Sequence, residues 1–209
     1  MSNKAAKRAL VVIDIQNDYI TGNFRIEYPP VASSLANIGK AMDAAKAAGV
    51  LIAVVQHVLP ADAPIFAEGS EGVKLHPVVT GRDFDYLSTK ALPSTFSDAG
   101  FEPWLKENGI DTLTVIGYMS HNCVDATIRE AMHRGYHAEF LPDAAGSLPY
   151  KNNGGAASAR DLHTATTVVI ESAYAAVMST EQWIARLDSG VHAPRDNIYY
   201  SNQRAIGKM

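Results

Sequence analysis

At 209 residues, 47% of them hydrophobic and 19% charged, the chain is long enough for one well-buried domain over 1–209, and nothing in it asks for a second. The net charge of −4 comes without a basic run able to track a phosphate backbone, which argues against nucleic acid as a partner. A single cysteine excludes an intrachain disulfide and suits a reducing cytoplasm, and no apolar stretch reaches signal-peptide or membrane-spanning length.

Arg8 to Ile15 is a near-continuous apolar run, as expected of a strand buried on both faces. Asp14 interrupts it at the far end; that carboxylate is either exposed or held by a cation, because bare burial costs too much. Asn17 to Pro30 is irregular. Val31, Leu35, Ile38, Met42 and Ala45 then repeat at helical spacing, and Gly49 ends the helix. Val50 to Val55 is a second buried strand running into Gln56 and His57. This strand–helix–strand opening predicts a parallel sheet with right-handed crossovers.

Val58 to Arg82 has little periodicity and many Pro and Gly residues; loops of this length are usually functional, often lids. Asp83 to Lys90 is a third strand, Leu92 to Phe96 a turn, and Phe101 to Asn108 a short helix. Leu113 to Ile116 is a fourth strand, broken at Gly117 to Asn122 and followed by a helix that Gly135 caps. His137 to Leu141 is a fifth strand and Pro142 to Gly155 a loop. A helix over Ala156 to Ser172, a sixth strand over Ala175 to Met178 and a helix from Thr180 to Leu187, capped by Thr180, complete the core, about residues 8–187. Gly190 to Met209 reads as a tail, or an arm onto a partner subunit.

Cys123 stands where the fourth strand gives way to a helix, with Thr127 beside it one turn on. Unpaired backbone N–H groups and the positive end of the helix dipole there favour thiolate over thiol. Asp14, Lys90 and Cys123 each end or follow a buried strand. In an open parallel sheet, ligands bind at the carboxyl ends of the strands, so the three have a place to converge. Singly, each has a plain structural reading: a helix cap, a solvated strand end, a packed thiol. Together they supply a base, a cation and a nucleophile.

The order DIQNDY (Asp14 to Tyr19), STKALPSTF (Ser88 to Phe96), GYMSHNCVDAT (Gly117 to Thr127) resembles the isochorismatase-like cysteine hydrolases. That superfamily includes nicotinamidases, N-carbamoylsarcosine amidohydrolase and ureidoacrylate-type amidases, and the resemblance runs from about Arg8 to Leu187. It implies a three-layer α/β/α fold with a six-stranded parallel sheet of order 3-2-1-4-5-6. It also implies a catalytic triad of Asp14, Lys90 and Cys123, and a non-proline cis peptide at Tyr118–Met119 that points the amides of Met119 and Cys123 into an oxyanion hole. The implied reaction is hydrolysis of an amide, ureido or carbamoyl C–N bond through a thioester on Cys123, with Asp14 as general base and acid and Lys90 supporting it. His57, Phe66, Phe96, Tyr118, His121 and Asn122 neighbour these motifs and are the expected pocket lining for a small-molecule substrate.

Nicotinamidases carry an Asp-x-His metal motif near the end of the second strand, whereas this chain has Val55-Gln56-His57-Val58, so neither metal nor any other cofactor is expected. His133 and His137 are split by Gly135 and should not share a face. No GxGxxG follows the first strand, which disfavours a dinucleotide. True isochorismatases cleave a vinyl ether without a thiol, so Cys123 favours C–N hydrolysis. Vinyl-ether hydrolysis and a redox-sensing or binding protein remain the alternatives. A homo-oligomer, dimer or tetramer, is expected from the resemblance and the tail.

Overall fold

The computed structural model describes residues 6–209. Six parallel strands form its central sheet: β1 (Arg8–Ile13), β2 (Leu51–His57), β3 (Tyr86–Lys90), β4 (Thr112–Tyr118), β5 (His137–Gly146) and, after the short antiparallel ribbon β6 (Tyr150–Asn152) and β7 (Gly155–Ala157), β8 (Ala176–Val177). Their order is β3-β2-β1-β4-β5-β8, the expected topology with the ribbon inserted before the last sheet strand. Seven helices accompany them among the described residues: α1 (Val31–Ala47), α2 (Pro77–Thr80), α3 (Phe101–Glu107), α4 (Asp125–His133), α5 (Ala159–Ala173), α6 (Thr180–Arg186) and α7 (Ile198–Ala205).

The period-two alternation of β1 separates the two halves of the core. Leu10 and Val12 pack with Ile38 and Met42 of α1 and Trp183 of α6. Ala9, Val11 and Ile13 pack with Phe101 and Leu105 of α3, Ile128 of α4 and Ile170 of α5. With both faces covered, β1 is buried throughout, which is why its sequence reads as one apolar run. Its first residue is Arg8, buried and paired with Glu139 of β5 at 2.9 Å. Thr114 and the Trp183 indole complete the partners of Glu139, and Arg8 Nη2 donates to the Val191 carbonyl at 2.8 Å.

Several boundaries differ from the sequence expectation. Residues 155–157 pair back onto 150–152, so α5 starts at Ala159, where Ser158 and Asp161 form a reciprocal capping box. Ser179, not Thr180, caps α6, with Gln182 as its partner. The segment read as a loop from Pro142 begins as strand, because β5 continues to Gly146 past a register shift opposite Val115 and Gly117. The tail holds α7, capped by Asn197, and its first part docks on the chain's own sheet, where His192 stacks on His137 at 3.8 Å. No helix among the described residues is long and apolar enough to cross a membrane.

Candidate active site

The strands bring their polar ends to one edge. Asp14 follows β1 with φ of 53°, a left-handed turn that aspartate tolerates better than most residues. Its amide donates to Val55 at 3.0 Å, and its side chain is fully buried. Gly117 lies opposite Ile13 in the sheet with φ of 113°, and a Cβ there would stand 2.1 Å from the Ile13 carbonyl oxygen. Only glycine lets β4 approach this closely beside Asp14. Tyr118–Met119 is a cis peptide, and Ser120–Val124 forms a π turn before α4. Cys123 therefore sits in that turn rather than in the first turn of an α-helix. Thr127 holds it: the hydroxyl donates to the Cys123 carbonyl at 2.8 Å and accepts from the Thr95 amide at 3.0 Å.

Lys90 ends β3 with its ammonium inside. Nζ lies 2.8 Å from Asp14 Oδ2, 3.3 Å from Cys123 Sγ and 3.1 Å from His57 Nδ1. An ammonium has three protons and no lone pair, so all three neighbours accept, and His57 must carry its single proton on Nε2. Burial, then the Lys90 charge, keep His57 below the usual histidine value against the pull of Asp14, consistent with that neutral form. Burial also works against the Lys90 ammonium, but Asp14 and Cys123 outweigh it and hold the lysine above its ordinary value.

Burial pushes the Cys123 thiol up to about 12, with Asp14 adding to the rise and Lys90 opposing it. This runs against the expectation that the helix terminus would favour the thiolate: loss of water, with Asp14 close by, outweighs the dipole and the Lys90 charge. Asp14 Oδ1 is buried without a hydrogen-bond partner. An oxygen of Asp14, a ring nitrogen of His57 and the sulfur lie within 4.8 Å of one another, a donor set of the kind metals use. The Lys90 ammonium lies within hydrogen-bonding distance of all three, so a metal ion would have to displace a buried cation from among its own ligands.

A cavity of about 270 Å³ opens onto Cys123 and Met119. Of the six residues expected around a pocket, His57, Phe66 and Asn122 line this cavity. Phe96, Tyr118 and His121 do not. Phe96 packs instead against Phe101 of α3, under the Arg134 guanidinium. Tyr118 is sealed behind Tyr19 with its hydroxyl 2.6 Å from Ser34. His121 turns to the Ser147 hydroxyl at 2.9 Å and packs edge-on against Tyr150. The wall comes instead from Tyr19 and Phe24, from Leu59 and Ile65 of the long loop, from Ala91 and Pro93 after β3, and from Tyr150 of the ribbon. Tyr19 closes the first motif, five residues after Asp14; Phe24 comes from an irregular segment, and Tyr150 from a three-residue ribbon strand too short to carry a local signal.

The long loop closes over its own chain. Gln16, fully buried, accepts from the His57 amide at 2.9 Å and donates to the carbonyls of His57 and Val73. Asp18 accepts from the Phe66 amide at 2.6 Å, and its own amide donates to Gly72. The stretch after β1 thus both presents Asp14 and staples the loop that carries Leu59, Ile65 and Phe66.

The isochorismatase domain profile matches residues 8–182. The chain belongs to the isochorismatase family. A crystal structure described as a putative isochorismatase from Burkholderia xenovorans is 52% identical, superposes with a TM-score of 0.96 and is covered over 98% of both chains. The isochorismatase family protein YddQ of Bacillus subtilis is 32% identical over 84% of this chain and 98% of its own length. The ureidoacrylate amidohydrolase RutB of Agrobacterium fabrum is 25% identical over 69% of this chain and 78% of its own. The matched region ends within α6, so the docked tail and α7 lie beyond it.

Proposed function

We propose that this isochorismatase-family protein is a cysteine amidohydrolase that opens an amide, ureido or carbamoyl C–N bond of a small molecule. The observation that carries the reading is the convergence of three buried groups: Lys90 Nζ lies 2.8 Å from Asp14 Oδ2 and 3.3 Å from Cys123 Sγ, and Asp14 Oδ1 beside them lacks a hydrogen-bond partner. A thiol that does not ionise alone needs a base, and Asp14 is one with a free lone pair. Asp14 takes the Cys123 proton as the sulfur attacks the carbonyl carbon. The amides of Met119 and Cys123, residues that both line the cavity, receive the developing oxyanion; losing one such donor typically costs ~3 kcal/mol in the barrier. As the tetrahedral adduct collapses, the C–N bond breaks and Asp14 returns its proton to the leaving nitrogen. Water, deprotonated by Asp14, then displaces the sulfur, giving the acid and the free thiol. Lys90, 2.8 Å from Asp14 Oδ2, holds that carboxyl group in place while it takes up and gives back the proton.

The naming of RutB as a ureidoacrylate amidohydrolase agrees with this reaction class. Oxidative sensing is disfavoured, because reactive sensor thiols are exposed and of low pKa, whereas Cys123 is 5% exposed and raised. We also read the protein as a cytoplasmic homo-oligomer, dimer or tetramer, which light scattering on the purified chain tests. For the reaction, incubation with a panel of small amides followed by intact-mass analysis should reveal an acyl adduct on Cys123. Turnover that persists undiminished in Cys123→Ala would overturn the covalent route.

A further inference from the structure

The charge character of the cavity narrows what enters it. Tyr19, Phe24, Phe66 and Tyr150 supply aromatic faces, and Leu59 and Ile65 aliphatic ones. Tyr19 and Phe66 pack with ring centroids 4.9 Å apart, and Phe66 meets His57 edge-on at 5.6 Å. Its polar lining comprises Asn122, the neutral His57, the Cys123 thiol and the tyrosine hydroxyls. None of these is a cation.

The nearest ammonium, Lys90, lies beneath this surface with its side chain wholly buried and all three protons engaged. Asp14 cancels its charge. Behind Phe66 stands a second carboxylate, Asp18, bonded to the Phe66 amide. A substrate carboxylate entering here would lose its water, find no cation to pair with, and meet two carboxylates against one ammonium. Arg25 lies instead in an adjoining cleft of about 460 Å³ that shares Phe24 and Tyr150 with this cavity, with Glu27 in the same lining. Arg25 is turned there by its own bond to the Gly22 carbonyl at 2.9 Å.

We propose that the site selects uncharged, flat amides, aromatic or conjugated, and excludes those whose acyl group bears a carboxylate. The inference rests on the amidohydrolase reading, since it names the substrate class of that same cavity. Planar groups stack on the aromatic wall, and a neutral amide finds donors and acceptors in Asn122 and in the Nε2–H of His57.

Matched pairs test it on the full chain. Terephthalamide against 4-carbamoylbenzoate, and fumaramide against fumaramate, differ only in a terminal amide versus a carboxylate. Two readouts are taken: kcat/KM for ammonia release, and protection of Cys123 from iodoacetamide under mildly alkaline conditions. The neutral member should be favoured ~100-fold or more in either readout. Arg25→Ala should leave that ratio unchanged. Equal or better use of the carboxylate member, or its loss in Arg25→Ala, would overturn the charge selection while leaving the hydrolase reading in place. Failure of both members to protect Cys123 would overturn the substrate class. Selective protection by the neutral member, with neither ammonia nor adduct from any amide, would support the selection and count against hydrolysis.

Discussion

Lys90 Nζ lies 2.8 Å from Asp14 Oδ2, both side chains entirely out of water and 76 residues apart in the chain. A buried pair of this kind depends on both members, because removing one strands the other. Lys90→Met leaves the Asp14 carboxylate buried without a counter-charge and should cost about 3–5 kcal/mol of stability. The double variant Asp14→Asn/Lys90→Met removes the stranded charge and should recover most of that loss. Urea titrations of the four proteins measure the coupling; additive losses would show that the pair is not interacting.

Turnover and thiol reactivity should part company at Asp14. Its carboxylate is one cause of the raised Cys123 thiol and, in the proposed mechanism, the acceptor of its proton. Asp14→Asn should therefore abolish hydrolysis yet raise the rate of Cys123 alkylation by about tenfold or more at a fixed pH, since a lower thiol pKa gives more thiolate. In the parent protein that rate should climb steadily as pH rises, without levelling off near the ordinary cysteine value. Parallel loss of both activities in a folded variant would contradict this arrangement.

His163 gives the fold an acid sensitivity separate from catalysis. Burial, helped by His121, holds it down at about 4, with Nδ1 2.9 Å from the Ser120 hydroxyl. The unfolded chain takes up this proton near pH 6.5 and the folded chain only near 4, so the unfolded state binds more protons between those values. Stability is full above about pH 6.5 and falls as pH drops through that window, by up to about 3 kcal/mol from this residue. His163→Gln should flatten the dependence of the urea midpoint on pH over the same range. An unchanged slope would assign the acid sensitivity elsewhere.

Gly117 should not tolerate even one methyl group. Gly117→Ala places a Cβ 2.1 Å from the Ile13 carbonyl oxygen at a φ of 113°, so β1 and β4 must separate just before Asp14. A loss of ~2–4 kcal/mol is expected, with residual activity falling further than stability because Asp14 moves. Thermal melts and initial rates on the same preparation check both parts.

Strands β1, β2 and β4 were legible because a sheet covered on both faces needs apolar runs, and Asp14, Lys90 and Cys123 stand out as polar residues at or just beyond strand ends. The pocket was only half legible. Phe96 and Tyr118 adjoin the motifs in sequence, but Phe101 of α3 claims the Phe96 ring, and Ser34 of α1 draws the Tyr118 hydroxyl into the core. Phe24 reaches the cavity through irregular chain and Tyr150 through a three-residue ribbon strand, and the course of both depends on tertiary contacts rather than on local pattern. The thiol was misjudged for a similar reason. A helix terminus is visible in sequence, whereas the depth at which it is buried is not. The helix in the tail has no periodic stripe to read, because its apolar residues Ile198, Tyr199 and Tyr200 are consecutive and exposed.

The guanidinium of Arg8 joins three distant parts of the chain: the first residue of the central strand, Glu139 and the carbonyl of Val191. Trimming the protein back to the family-matched region would take away Val191 and leave a sealed guanidinium proton with nowhere to go. Shortened versions made for crystallisation or assay would therefore be weakened where Arg8 and Glu139 join the sheet, a place that also loses the Trp183 indole, and should keep at least residue 191.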